Sequence, residues 1–140
     1  MIAIIRISGR VNMKTDIEET LDRLRLKRKY ACVVIKDDVI TRGMLAKVRD
    51  FVAYGEIKKE TFEKLIEKRG QLVDKTKKTD LKKAAEEIEK GKNFSEVNLK
   101  PFFRLHPPRR GIESKKHFGV GKGILGNNKE KINELVERML

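Results

Sequence analysis

Two short β-branched runs, Ile2 to Ile7 (IAIIRI) and Tyr30 to Ile35 (YACVVI), bracket a stretch whose apolar residues recur at helical spacing. Runs of this kind are stable when paired into a sheet and buried on at least one face. The chain must therefore build a sheet and cover it with helix. Thr15-Asp16-Ile17-Glu18 has the spacing of a capping box, in which hydroxyl and carboxylate each satisfy an orphan N–H. Ile17, Leu21 and Leu24 follow, predicting a helix over about 15–26. Lys27-Arg28-Lys29 then puts three cations on the short connection to the second strand.

Further along, Asp37-Asp38 marks a turn, and Met44, Leu45, Val48 and Val52 form an apolar stripe that predicts a helix near 42–51. The opposite face of that helix presents Arg42, Lys47 and Arg49. Val52-Ala53-Tyr54 reads as a short strand stopped by Gly55, and a third helix near 58–69 turns Phe62, Leu65 and Ile66 inward, with Gly70 as its stop. Residues 74–80 carry no apolar side chain and predict an exposed linker. Leu81, Ala84, Ala85 and Ile88 support a helix ending at Gly91, its low apolar content suggesting a peripheral attachment. Phe102 to His106 alternates as a strand, with Phe103 and Leu105 on one side and Arg104 on the other, before Pro107-Pro108 stops it. A long glycine- and lysine-rich loop is expected over 109–128, followed by a last helix capped by Asn127 or Asn128. The order points to one α+β sheet covered by helices on one face.

At 140 residues the chain suits one domain, and 34 Lys and Arg against 21 Asp and Glu leave a net charge of +13. The surplus is uneven. Residues 51–91 hold 11 basic and 9 acidic side chains with alternating signs, as suits surface ion-pair networks, whereas 1–50 hold 12 against 7 and 92–140 hold 11 against 5. An excess gathered in the two flanks favours a polyanionic partner, because phosphates relieve its self-repulsion. One cysteine cannot form an internal disulfide, and no apolar run is long enough to cross a bilayer. The start MIAIIRISGR meets charge too early for a signal peptide, so a cytosolic protein is expected.

Catalytic and metal chemistry find no support. Cys32, His106 and His117 are scattered, whereas zinc needs three or four ligands at tight spacings. Gly121 to Gly126 matches G-x-G-x-x-G, but no buried strand leads into it and the chain ends before an acidic ribose ligand could follow. No spacing of carboxylates argues for a convergent acid/base pair, and no hydroxyl has an adjacent histidine. No enzyme, cofactor, metal or small-molecule substrate is expected.

The basic side chains in the loops and on the polar helix face remain: Arg6, Arg10, Arg28, Lys29, Arg42, Lys47, Arg49, Arg104, Arg109, Arg110, Lys115, Lys116 and Lys122. With His106, His117, Tyr30 and Phe118 interleaved, they form a candidate RNA-binding surface with stacking options. Six to eight neutralised phosphates would give duplex binding a log–log salt slope of about −5 to −7. A free-standing RNA- or DNA-binding regulator would use the same charges, but neither a recognition helix nor an aromatic RNP strand is evident.

Several segments together resemble the large-subunit ribosomal protein family L-thirty, called L-seven in eukaryotes. They are the start IAIIRISGRVN, Thr41-Arg42-Gly43-Met44 with Lys47-Val48, Val52 to Glu56, Phe103 to Arg109 (FRLHPPR), and the tail from His117 to Leu135. Where the family usually follows the FRLHPPR arginine with two glycines, this chain has Arg110-Gly111. The resemblance implies a ferredoxin-like β-α-β-α-β core with an antiparallel sheet, an archaeal-type helical insert and a C-terminal extension. It divides one compact domain into a core at 1–57, an insertion at 58–100, and a late strand, basic loop and C-terminal helix at 101–140. It implies no enzymatic activity, but a structural role in the large ribosomal subunit, one copy per ribosome, in contact with large-subunit rRNA and neighbouring ribosomal proteins and approaching 5S rRNA. By motif position, Arg42 and Lys47 lead as implied RNA contacts, followed by Arg104 and Arg109.

Overall fold

The computed structural model describes residues 1–140. The first strand, β1 (Ile2–Arg6), is the middle of the core: it pairs antiparallel with β2 (Ala31–Ile35) on one side and β3 (Val52–Glu56) on the other. Between them run α1 (Thr15–Arg23) and α2 (Val39–Val48), completing the β-α-β-α-β order. After α3 (Lys59–Arg69) and α4 (Leu81–Glu89), a short β4 (Phe103–Arg104) pairs antiparallel with β2. Strands β5 (Ser114–His117) and β6 (Gly123–Asn127) then extend the other edge, and α5 (Ile132–Met139) closes the chain. The sheet has six strands in the order β4-β2-β1-β3-β6-β5. Because β6 joins β3 in parallel, with Ala53 opposite Gly126, the antiparallel core becomes part of a mixed sheet.

Side-chain alternation decides which helices cover which face. Ile2, Ile4, Val33 and Val52 point to one side, where they meet Leu21 and Leu24 of α1 with Leu45 and Val48 of α2. Ala3, Ile5, Cys32, Val34 and Ala53 point to the other, against α3, α4 and α5. The core's own helices thus lie on one face as expected, but the sheet as a whole is covered on both. That explains why β1 lacks polar alternation: all five of its residues are buried. Helix α4 is no peripheral attachment, since Ala84, Ala85 and Ile88 sit in the larger cluster. Small alanines let it approach closely and offset its few large apolar side chains.

Several element ends differ from expectation. The capping box does not form. Lys14 occupies the cap position, Thr15 is already helical, and the Ile17 amide is met by the Asp16 side chain instead. Helix α2 begins three residues early because Asp38 caps it, its Oδ1 accepting from the Val39 amide at 2.7 Å. Gly55 continues β3 rather than ending it: a Cβ there would collide with the Lys129 carbonyl oxygen, so glycine lets the turn after β6 lie directly on the strand. The region expected as one long loop contains β5 and β6. Asn128 holds the cap position of the short Lys129–Lys131 turn without a side-chain cap bond, and the Asn127 Oδ1 accepts from the Lys129 amide at 2.9 Å instead.

Candidate nucleic-acid interface

The cations expected on a polyphosphate surface fall into three groups. Arg6 departs from the expectation of an exposed contact, because it is fully buried. Its position on β1 points it under the loop that follows, where Nη1 donates to the Leu26 carbonyl at 2.7 Å, Nε to Ser8 at 3.0 Å and Nη2 to Gly9 at 3.3 Å. Burial pulls its pKa downward, with the nearby Arg10 charge adding to the effect. Arg6 is therefore a clamp for the loops at this end of the sheet, and its apolar strand neighbours gave no hint of those carbonyl partners.

A second group is exposed but already paired with carboxylates. Arg10 lies 3.4 Å from Glu18 and 3.6 Å from Asp22, Lys47 lies 3.4 Å from Asp16, and Arg49 lies 3.8 Å from Asp50. Lys122 meets Glu113 at 2.9 Å, which raises its pKa through that hydrogen bond. Arg42 holds Asp37 most tightly, at 2.6 Å. The third group is exposed and has no carboxylate partner: Arg28, Lys29, Arg104, Arg109, Arg110, Lys115 and Lys116, with the exposed His106 among them. Lys29 sits 5.0 Å from the centre of the Tyr30 ring and Arg104 sits 5.8 Å from that of Phe102, so aromatic faces hold these two charges without neutralising them.

Local backbone explains where the third group sits. Ala31 pairs with Arg104 and the Leu105 amide donates to the Tyr30 carbonyl, gathering Arg28, Lys29 and Arg104 at the β2–β4 edge. The chain then passes the end of α5, where His106 and Arg109 amides donate to the Met139 and Arg138 carbonyls. The Arg138 side chain grips the Arg109 and Gly111 carbonyls from below. Arg110 and Gly111 both adopt positive φ, 67° and 69°, so the turn here holds an arginine in the left-handed region.

On the far edge, two grooves share a wall. The first has a volume of about 1050 Å³ and runs between α2 and the β6–α5 turn, lined by Arg42, Leu45, Tyr54, Phe118, Asn127 and Lys131 among others. The second, of about 900 Å³, runs between the 109–113 turn and α5, with Arg109, Arg110, Phe118, Lys122, Lys131 and Arg138 in its lining. Phe118 and Lys131 belong to both, the ammonium lying 5.6 Å from the ring centre. His117 Nε2 reaches Asp50 at 2.8 Å, fastening β5 to the end of α2. Arg42, Arg109, Arg110 and Lys122 are thus brought to one continuous region, whereas Arg28, Lys29 and Arg104 stand at the opposite edge of the sheet. Tyr54, Asn127, Lys129 and Lys131 were missed by sequence reasoning. The one available signal was the pair of lysines beside the Asn127-Asn128 cap.

No three His, Cys, Asp or Glu side chains converge as metal ligands. Burial pushes the Cys32 thiol up to about 12, against a small opposing hydrogen bond from the Ile4 backbone, so it is a neutral core side chain at pH 7. No helix is long and apolar enough to cross a membrane.

The profile of the family described as Ribosomal protein L30p/L7e matches residues 2–52. Over 99% of both chains, the sequence is 42% identical to large ribosomal subunit protein uL30 of Archaeoglobus fulgidus. It is 38% identical to the protein of that name from Methanosphaera stadtmanae over the full length of both, and 41% identical to that of Methanococcus vannielii over 99% of this chain and 98% of the relative. With likeness of this degree running from end to end, the chain belongs to the ribosomal protein L30p/L7e family.

Proposed function

We propose that the protein is a structural constituent of the large ribosomal subunit, acting in translation in the cytoplasm by binding and positioning large-subunit rRNA. The single observation that carries this reading is the set of exposed cations without carboxylate partners, mounted on a scaffold buried on both sheet faces, with Arg109 and Arg110 among them lining a groove. The names and full-length similarity of the archaeal relatives support it. Phosphates neutralise the cations, rRNA segments pack more closely, and the rigid sheet fixes their relative geometry. Catalysis plays no part in this role. Arg28, Lys29, Arg42, Lys47, Arg49, Arg104, His106, Arg109, Arg110, Lys115, Lys116 and Lys122 carry the RNA contacts, with Arg10 at the margin. Neighbouring ribosomal proteins complete the site, 5S rRNA comes close to it, and one copy serves each ribosome.

Sedimentation of a lysate tests the reading. Cofractionation with large subunits at low salt and release at high salt supports it; a protein that stays with the unassembled fraction at low salt overturns it. On isolated rRNA, Arg104→Ala with Arg109→Ala weakens binding and makes the log–log salt slope shallower by about two.

A further inference from the structure

The wall shared by the two grooves differs from the rest of the surface. In the first groove, the cations Arg42, Lys129 and Lys131 are balanced by three carboxylates, of which Asp37 is tied to Arg42 and Glu130 lies 3.6 Å from Lys58. A groove without net charge suits no run of phosphates. It does contain two half-buried aromatic rings, Tyr54 and Phe118, and the exposed Asn127, whose Oδ1 accepts from the Lys129 amide while its Nδ2 has no protein partner. Beyond the wall, the second groove carries a cationic surplus from Arg109, Arg110 and its neighbours. Lys131 lies over one face of the Phe118 ring.

From this juxtaposition we infer that the first groove receives a single unpaired nucleobase, stacked on the Phe118 ring beside Tyr54, while the phosphate of the same nucleotide turns over the wall toward Arg109 and Arg110. The inference rests on the RNA-binding reading and deepens it. It makes the surface a reader of one extruded base as well as of backbone. Aromatic faces accept any base, so the contact selects unpaired over paired RNA more than one sequence over another. Asn127 lines the same groove, and its amide Nδ2 supplies a donor suited to a base edge.

The chain contains no tryptophan, so Phe118→Trp places a lone indole at the wall. A short oligoadenylate should quench that indole, and an A-form duplex of equal length should not. Phe118→Leu keeps apolar bulk without a π face. It should weaken oligoadenylate binding about 5- to 100-fold and leave duplex affinity and salt slope unchanged. If both RNAs bind the native protein but the indole is unquenched and Phe118→Leu is silent, the inference is overturned while the rRNA reading stands. If neither RNA binds in a salt-dependent way, the rRNA reading fails as well. A Phe118→Leu protein that loses duplex binding in equal measure also overturns the inference, because the ring is then only a support for the fold.

Discussion

The Arg42 guanidinium grips the Asp37 carboxylate through two hydrogen bonds of 2.6 Å, Nε to Oδ1 and Nη2 to Oδ2. This fork is aimed across the start of α2 and lines the first groove, so a phosphate arriving there must displace a carboxylate already in place. The strongest arginine motif in the sequence is thereby held in reserve.

Asp37→Asn should free Arg42 and raise rRNA affinity about 3- to 10-fold, with the log–log salt slope steeper by about one. The hydrogen bond from Arg42 holds the Asp37 carboxyl below its ordinary range. The pair therefore persists above that ordinary range and is lost as pH falls through the lowered value. The native protein should approach the affinity of the variant only under that acid condition. Anisotropy titrations at several salt concentrations measure both effects, and identical curves for the two proteins at neutral pH would show that Arg42 makes no phosphate contact.

Arg6 has the opposite fate. Replacing it with Met should leave the Leu26, Ser8 and Gly9 carbonyls without their shared donor and cost about 2–4 kcal/mol in stability. Arg6→Lys should rescue little, since an ammonium cannot fork to three carbonyls at once. At a temperature where both variants remain folded, their rRNA affinity and salt slope should match the native protein. Thermal melts and binding isotherms separate the outcomes; a shallower slope would return Arg6 to the RNA surface.

How far the sequence reveals such roles depends on the range of the interactions involved. Strands β1 and β2 and the apolar stripes of α2 and α3 were legible because their period is local. The covering of both sheet faces was less so. The continuous burial of Ile2 to Arg6 was a signal, but which helices lie on which face depends on pairing between residues more than 20 positions apart. Gly55 read as a stop for the same reason: the Lys129 carbonyl that demands a glycine lies far along the chain. At the candidate site, residue types and approximate location were evident from charge. Whether a given cation was free, paired or buried was not, because Asp16 beside Lys47 and Leu26 beside Arg6 are tertiary neighbours.

Cys32 offers a probe of the core. Its folded pKa, raised to about 12 by burial, lies above the ordinary value of 9.0, so the neutral thiol's favourable burial is fully present below pH 9. Between about pH 9 and 12 the unfolded chain gains from ionising and the folded one does not, which lowers stability by roughly 1.4 kcal/mol per pH unit. Cys32→Ala should flatten that slope in urea melts at rising pH while costing about 1–2 kcal/mol at neutral pH for lost packing. In the native protein, alkylation at pH 8 should proceed only at the rate of opening; rapid labelling without denaturant would contradict the burial.

Asn133 joins three segments through one side chain. Its Oδ1 accepts from the Lys58 amide at 2.8 Å, and its Nδ2 donates to the Glu56 and Glu130 carbonyls at 3.0 and 2.7 Å. The end of β3, the start of α3 and the turn before α5 are therefore fixed together, and with them Lys129 and Lys131 beside the first groove. Asn133→Ala leaves the Lys58 amide and the Glu56 carbonyl without their side-chain partner in a largely buried place and should cost about 2–3 kcal/mol. Asn133→Asp preserves shape but offers a third acceptor to two carbonyls, so at neutral pH it should be at least as damaging. Hydrogen exchange should then rise first at the Lys58 and Lys131 amides, ahead of β1 and β2, because the pin holds the α5 attachment and not the central pairing. Uniform acceleration across the sheet would show instead that the α5 attachment and the core unfold as one unit.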